Sequence, residues 1–496
     1  MRIVGVAAAL LAASGQPGAG DASQGRRITC DVAVIGGGAG GLHTAYRLGK
    51  ELGSCVCLFE KADRLGGRIY DVAKDPGGPV YGTGALRVME GQPVVLSLAS
   101  ELGIQLEQVP YRDQLISARG YFGSSSDELN ALAYPLVDDA TSETDLYDTL
   151  RLGPQRPKSG EFPDLRSYMR AVIGPQGYQF LADMSRFRAE FDYSISAPAY
   201  LEYLDEEWDL CCDPYYPVGG MSQFIARMED RAARSGVRIF KSEPVRAISR
   251  EHGRGRRYSI ATPRYAVSAE RVVIAVDADG FRHVRGSVAA AIQAQPQFRD
   301  LLPVKVVTVT QWWPRAWWLD QRGPRDVRRA WTTEQCLNAL EIPVNDYAAR
   351  QLVTRSVYDD DMRCVEFWAQ AAERGVGSVE GEIRRGFKYL FPDLTIPDPL
   401  ATHVQVWPAG WYFLRGGSPY TNAQIARWAV EPLPGEDVCL VGESYNPQRS
   451  GWMDAAIKSS ANALQARYGF DPPRASAAPA AARRSARDAG RAGRGH

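Results

Sequence analysis

The chain has 496 residues with 58 Lys+Arg against 58 Asp+Glu, a formal net charge of zero; 45% of its residues are hydrophobic and 23% charged. This length suits two or three domains, and the charge balance argues against a general polyanion-binding surface. The five histidines show no ligand spacing and the eight cysteines form no CxxC pair, which excludes a zinc site, and no apolar run is long enough to span a bilayer.

From the start, Met1-Arg2, an apolar stretch over Ile3–Ala13 and small residues to Ser23 read as a secretory leader spanning 1–27. The location expected is secreted or periplasmic, or cytoplasmic if the leader is not a signal. Export would permit disulfides among Cys30, Cys55, Cys57, Cys211, Cys212, Cys336, Cys364 and Cys439, which sequence does not pair. At the other end, 471–496 is rich in Ala, Arg, Pro and Gly without aromatics, and is expected to be a disordered tail.

Asp31-Val-Ala-Val-Ile35 is a β-branched apolar run, consistent with a buried parallel strand. Gly36-Gly-Gly38-Ala39-Gly40-Gly41 follows as G-x-G-x-x-G, and Leu42 to Leu48 has helical character. In this context Gly36 allows the tight turn, Gly38 lets the backbone approach a diphosphate, and Gly41 lets helix and strand pack closely. The helix N-terminus then offers its N–H groups to the anion. A second run, Cys55-Val-Cys-Leu-Phe59, ends in Glu60, 19 residues after Gly41, where a ribose-binding acid belongs. Lys61-Ala-Asp-Arg64-Leu-Gly-Gly67-Arg68 adds a second glycine pair between two arginines, with further backbone donors and positive charge for a diphosphate.

On these motifs the chain resembles the FAD-dependent amine and amino-acid oxidases, and the resemblance recurs from about Cys30 to Tyr468. Tyr216-Pro-Val-Gly-Gly-Met221 looks like the family's turn into a helix, for which Ser222 is the expected N-cap and Gly236 the stop. Val237–Phe240, Pro244–Ile248 and Arg271–Val276 read as strands, Val245 falling where the family's backbone meets adenine. Cys439-Leu-Val-Gly-Glu443-Ser, then Ser450-Gly451-Trp452-Met453-Asp-Ala-Ala456, is similar to the family's closing segment. There Glu443 is expected to accept from ribityl hydroxyls, with Gly451, Trp452 and Met453 beside the flavin and a helix N-terminus near its pyrimidine carbonyl.

The resemblance extends to the substrate side. Tyr81-Gly-Thr-Gly84-Ala85-Leu86-Arg87-Val88 is similar to the G-G-M-R segment of L-amino-acid oxidases, so Arg87 is expected to grip a substrate carboxylate; a structural salt bridge is the alternative. Trp411 in Pro408-Ala-Gly410-Trp-Tyr-Phe413 and Trp452 resemble the two aromatic walls that hold the amine. Covalently flavinylated relatives carry cysteine before this wall, whereas this chain has Gly410, so non-covalent FAD is expected. Lys305 in a β-patterned run, Leu302–Thr310, resembles the family lysine that holds a water against flavin N5; a solvent-facing lysine is the alternative. No tyrosine stands near Glu341-Ile342 to join the carboxylate clamp, and no residue stands out as a general base.

The expected architecture is α/β: a Rossmann-like FAD domain from 28–75, 220–300 and 436–470, a mixed-sheet substrate domain from 76–135 and 301–435, and a helical cap over 136–219 with Phe180, Phe187, Phe191 and Tyr193 as lining or packing. The implied activity is oxidative deamination of L-amino acids by hydride transfer to FAD, giving 2-oxo acid, ammonia and hydrogen peroxide. A monoamine or polyamine oxidase of this fold and a non-catalytic flavin-binding protein are the alternatives. The expected partners are a small amino acid and dioxygen, without nucleic acid or membrane insertion and compatibly with a homodimer; no metal is expected.

Overall fold

The computed structural model describes residues 26–52, 55–78, 80–109, 114–134, 142–208, 214–251, 257–320, 327–342, 352–447 and 451–470. Cys211, Cys212, Ser450, most of the leader and the tail lie outside these residues.

Two seven-stranded sheets organise the molecule. The first contains β1 (Arg26–Ile35), β2 (Val56–Phe59), β3 (Arg238–Phe240) and β4 (Tyr265–Ile274). Its order is Ala247–Arg250, Tyr258–Ala261, β4, β1, β2, β3, with Val438–Leu440 also pairing β4. β1 runs parallel to β2 and β4, and β3 parallel to β2. Val32 to Ile35 and Val56 to Phe59 are all buried, as parallel strands covered on both faces require. α1 (Ala39–Leu52) and α2 (Ser222–Arg234) cover one face together with the last helix, Met453–Tyr468. Phe224, Ile225, Met228 and Ala232 form the buried stripe of α2.

The expected stop at Gly236 is found, with φ +83° just beyond that helix. The expected N-cap is not. Ser222 is the first helical residue, and its N–H donates to the Asp71 carboxylate at 2.7 Å, so the cap comes from 151 residues away. The strand expected over Pro244–Ile248 begins only at Ala247.

The second sheet is built on β5 (Leu301–Trp312), flanked by β6 (Val353–Asp359) and β7 (Ala401–Leu414). Its pairings are antiparallel except for Arg329–Thr332 alongside Gln114–Ala118, so the sheet is mixed. Among the described residues, five helices of eight residues or more lie between Ser126 and Trp208, ending in α3 (Ala197–Trp208). Their apolar core, with Tyr168, Phe180 and Phe191, is continuous with Val304, Val306, Trp411 and Phe413 of the sheet. The α/β class read from the sequence is the one observed. Among the described residues no helix is long and apolar enough to cross a membrane.

Candidate functional site

At the end of β1 the chain turns at Gly36, φ +103°, where a side chain would meet the Ala275 carbonyl at 2.6 Å. A Cβ on Gly41 would overlap the Gly36 carbonyl, so α1 packs onto the strand only with glycine there. Gly38 is different: nothing lies within 4 Å of where its Cβ would stand, which leaves space against the N-terminus of α1. No acidic residue occupies the first turn of α1, which starts at Ala39. Gly40 faces the other way, where a Cβ would stand 3.1 Å from the Ala456 carbonyl.

The second glycine pair lies against the first. Gly66 N–H donates to Gly37 O at 2.8 Å, and Gly67, φ +56°, stands near the Gly38 Cα. Glu60 caps this turn: one carboxylate oxygen accepts from Gly37 N at 2.7 Å and the other from Ala62 N at 2.8 Å. Lys61 beside it is exposed. Val245 is half-buried in the segment after β3, two residues beyond Glu243, whose N–H donates to the Glu60 carbonyl. Arg64 turns inward, donating to the carbonyls of Leu65, Gly67 and Ile69 and lying over the Tyr70 ring, so it braces the loop. The open approach at Gly38, the acid-free helix start and the paired glycine loops together fit the diphosphate of FAD.

Arg68 carries the site onward. Its Nη1 donates to Gly410 O at 2.8 Å and to Glu443 at 2.6 Å. The other oxygen of Glu443 accepts from Tyr412 N at 3.1 Å and Gly451 N at 3.0 Å. Glu443, buried, therefore ties together the second glycine loop, β7 and the segment before the last helix, which opens at Met453 after Trp452. Gly84 backs onto this hub, since a Cβ there would overlap the Arg68 carbonyl; Ala85 N donates to that same carbonyl at 3.2 Å, and Leu86 is half-buried beside it.

Trp411 is buried against Phe187 and Phe413, with ring centroids 5.8 and 4.8 Å away, and its Nε1 has no hydrogen-bond partner among the described residues. It stands 3.6 Å from where a Gly451 Cβ would be. Trp452, next along, donates its Nε1 to Glu207 of α3 at 2.7 Å. The structure thus brings the two expected walls to neighbouring backbone, one set in the aromatic core and the other tied to a carboxylate. Lys305 lies where β5 slips against β7; it is exposed, and its N–H donates to the Tyr193 hydroxyl at 3.2 Å.

Arg87 is engaged by protein. Its Nη1 donates to Glu341 at 2.9 Å, and Arg186 and Arg355 stand 3.7 and 3.8 Å from the same carboxylate. Burial alone would raise the Glu341 pKa, but the three guanidiniums outweigh it and hold the carboxyl down at about 2.

Sequence reading missed two buried acids, Glu190 and, just after β6, Asp360. Glu190 is buried and accepts from the Tyr200 hydroxyl at 2.6 Å; burial, assisted by nearby Glu207, pushes its carboxyl up to about 8. Asp360 is pushed well up by burial too, and accepts from Ala189 N at 3.2 Å. Phe187 links this region to Trp411, packing edge-on against Tyr358, whose hydroxyl bonds Asp360 at 3.3 Å. The one available signal was the acidic run Asp359-Asp-Asp361 at the end of an apolar strand.

A fold with a glycine-turn dinucleotide domain, a mixed-sheet second layer and an aromatic pair at their junction defines a flavoprotein oxidoreductase architecture. The family model for flavin-containing amine oxidoreductase matches residues 39–466, and the chain belongs to that family. It is 36% identical over 87 residues to amine oxidase [flavin-containing] B of Rattus norvegicus, a match covering 18% of this chain and 16% of that protein. To the FAD-dependent oxidoreductase dbaF of Emericella nidulans it is 40% identical over 87 residues, 17% of this chain and 18% of that one. The matched stretches thus span less than a fifth of these relatives. The fold is also that of cyclohexylamine oxidase from Brevibacterium oxydans, with TM-score 0.69 and 16% identity over 89% of this chain and 99% of that one. Putrescine oxidase bound to putrescine gives 0.65 and 15% over 90% and 100%.

Proposed function

We propose that the chain is a flavin-dependent oxidase of primary amines that holds FAD non-covalently. The observation that carries this reading is the placement of charge. Glu207 offers a carboxylate at Trp452, one residue from the Glu443-tied backbone of Gly451, whereas Arg87 is engaged by Glu341. A protonated amine is drawn towards Glu207, and the faces of Trp411 and Trp452 favour a cation and exclude water. Bound FAD supplies the acceptor for the hydride of the amine-bearing carbon, and dioxygen takes the electron pair on as hydrogen peroxide. Gly410 leaves no side chain to bond the flavin, and a Cβ there would overlap Val306.

Oxidation of L-amino acids is the second reading, favoured by the three guanidiniums that converge on Glu341. One experiment separates the two: anaerobic bleaching of the flavin absorbance by a panel of L-amino acids and their decarboxylated amines. Bleaching by the amines is expected. Bleaching by amino acids alone overturns the first reading, and in that case Arg87→Ala loses kcat/KM by at least about a hundredfold.

A further inference from the structure

Behind the dinucleotide turn, three sulfurs gather on the first sheet. Cys30 of β1 and Cys57 of β2 form a disulfide between neighbouring parallel strands. Cys55 carries a free thiol just before β2, and its Sγ lies within 4.8 Å of both disulfide sulfurs. Residues two apart on an extended strand face the same way, which puts Cys55 and Cys57 on one side. The disulfide is closed to solvent, with Cys30 1% and Cys57 0% exposed, while Cys55 is exposed. Arg238 of β3 reaches over the group. Its Nη2 is 3.0 Å from the sulfur of Cys55, 3.0 Å from that of Cys57 and 3.6 Å from that of Cys30, and it donates to Thr29 O.

We propose that Cys55, Cys30 and Cys57 form a thiol–disulfide exchange centre, in which Cys55 is the entry thiol for small dithiols and disulfides. External thiols cannot reach the buried bond, but the neighbouring Cys55 sulfur can. As a thiolate, Cys55 attacks one sulfur of the Cys30–Cys57 bond. A new bond to Cys55 forms, the old one breaks, and the displaced cysteine leaves as a thiolate with no net change in electrons. The Arg238 guanidinium can pair with the thiolate at each stage, because it is already within reach of all three sulfurs. An external dithiol then attacks the now-bridged Cys55 sulfur, and its second thiol closes the ring and leaves as a cyclic disulfide. Two electrons and two protons pass to the protein. The reverse direction takes a small disulfide and re-forms the bridge. Since β1 leads into Gly36 and β2 into Glu60, the centre controls the covalent tie between the two strands that present the glycine turn and its acid. The guanidinium among the sulfurs disfavours a bound metal cation as the purpose of the cluster.

The test uses the full chain with its flavin. Native protein is treated with dithiothreitol at neutral pH, quenched by alkylation, and labelling at Cys30 and Cys57 is read by peptide mapping, with the Cys336–Cys364 disulfide as internal reference. Reduction of Cys30–Cys57 is expected to be at least about tenfold slower in Cys55→Ser than in wild type, with the reference unchanged. If that variant does not fold, wild-type protein alkylated at Cys55 before reduction gives the same comparison. Equal rates with and without the Cys55 thiol overturn the proposal. So does purified protein in which all three cysteines are reduced around a stoichiometric metal ion.

Discussion

Glu341 shows what a single buried carboxylate can organise. It meets Arg87, Arg186 and, from β6, Arg355, so removing its charge strands guanidiniums that cannot return to water. Glu341→Gln is expected to destabilise the protein by roughly 3–5 kcal/mol, read as a shift of the urea midpoint at unchanged slope. A loss below about 1 kcal/mol would show that these arginines find other partners. The same residue marks a limit of sequence reading. Arg87 stands in a recognisable segment, but its partner lies 254 positions away, and nothing local to either residue announces the pair. Gly41 was legible for the opposite reason: the Gly36 carbonyl that a Cβ there would strike lies only five positions back in the chain.

Among the elements, α2 and α3 show how placement depends on distant chain. Ser222 satisfies every local rule for an N-cap, yet the Asp71 carboxylate, 151 positions away, takes the position. Asp71→Ala is expected to cost about 1–2 kcal/mol, as loss of an N-cap does, while Ser222→Ala costs little; equal effects would restore the serine to the capping role. α3 carries the acid that the amine reading needs. It presents Glu207 to the Trp452 indole, and nothing in its sequence separates that glutamate from the ordinary polar face of an amphipathic helix. Glu207→Gln keeps the hydrogen bond to the indole and removes only the charge. KM for a cationic amine is expected to rise about tenfold or more with kcat changed less, measured by peroxide formation, and an unchanged KM removes Glu207 from substrate attraction.

At the scale of the whole molecule, the first and last parts of the folded chain close on each other. His43 of α1 meets Ser460 of the last helix at 2.9 Å, across 417 positions, and burial holds its imidazole down at about 3. Buried titratable groups set how stability runs with pH, Asp360 in the same sense as Glu190. His43 has a lowered pKa, so between about 6.5 and 3 the unfolded chain binds a proton that the native one refuses, and stability falls as pH falls. Glu341, held at about 2, adds to that loss below its ordinary 4.5. Glu190 acts in the opposite sense. Its native carboxyl keeps the proton up to about 8 whereas the unfolded one gives it up near 4.5, so its contribution is lost as pH rises through that window. Between 4.5 and 6.5 His43 and Glu190 oppose each other, and from 6.5 to 8 Glu190 acts without His43. Glu190→Gln, which stays neutral and keeps an acceptor for Tyr200, is therefore expected to flatten the decline in thermal midpoint between pH 6.5 and 8 and to leave the acid limb below pH 4.5 intact. A variant that follows the wild-type midpoint at every pH would mean that Glu190 titrates alike in the folded and unfolded chain.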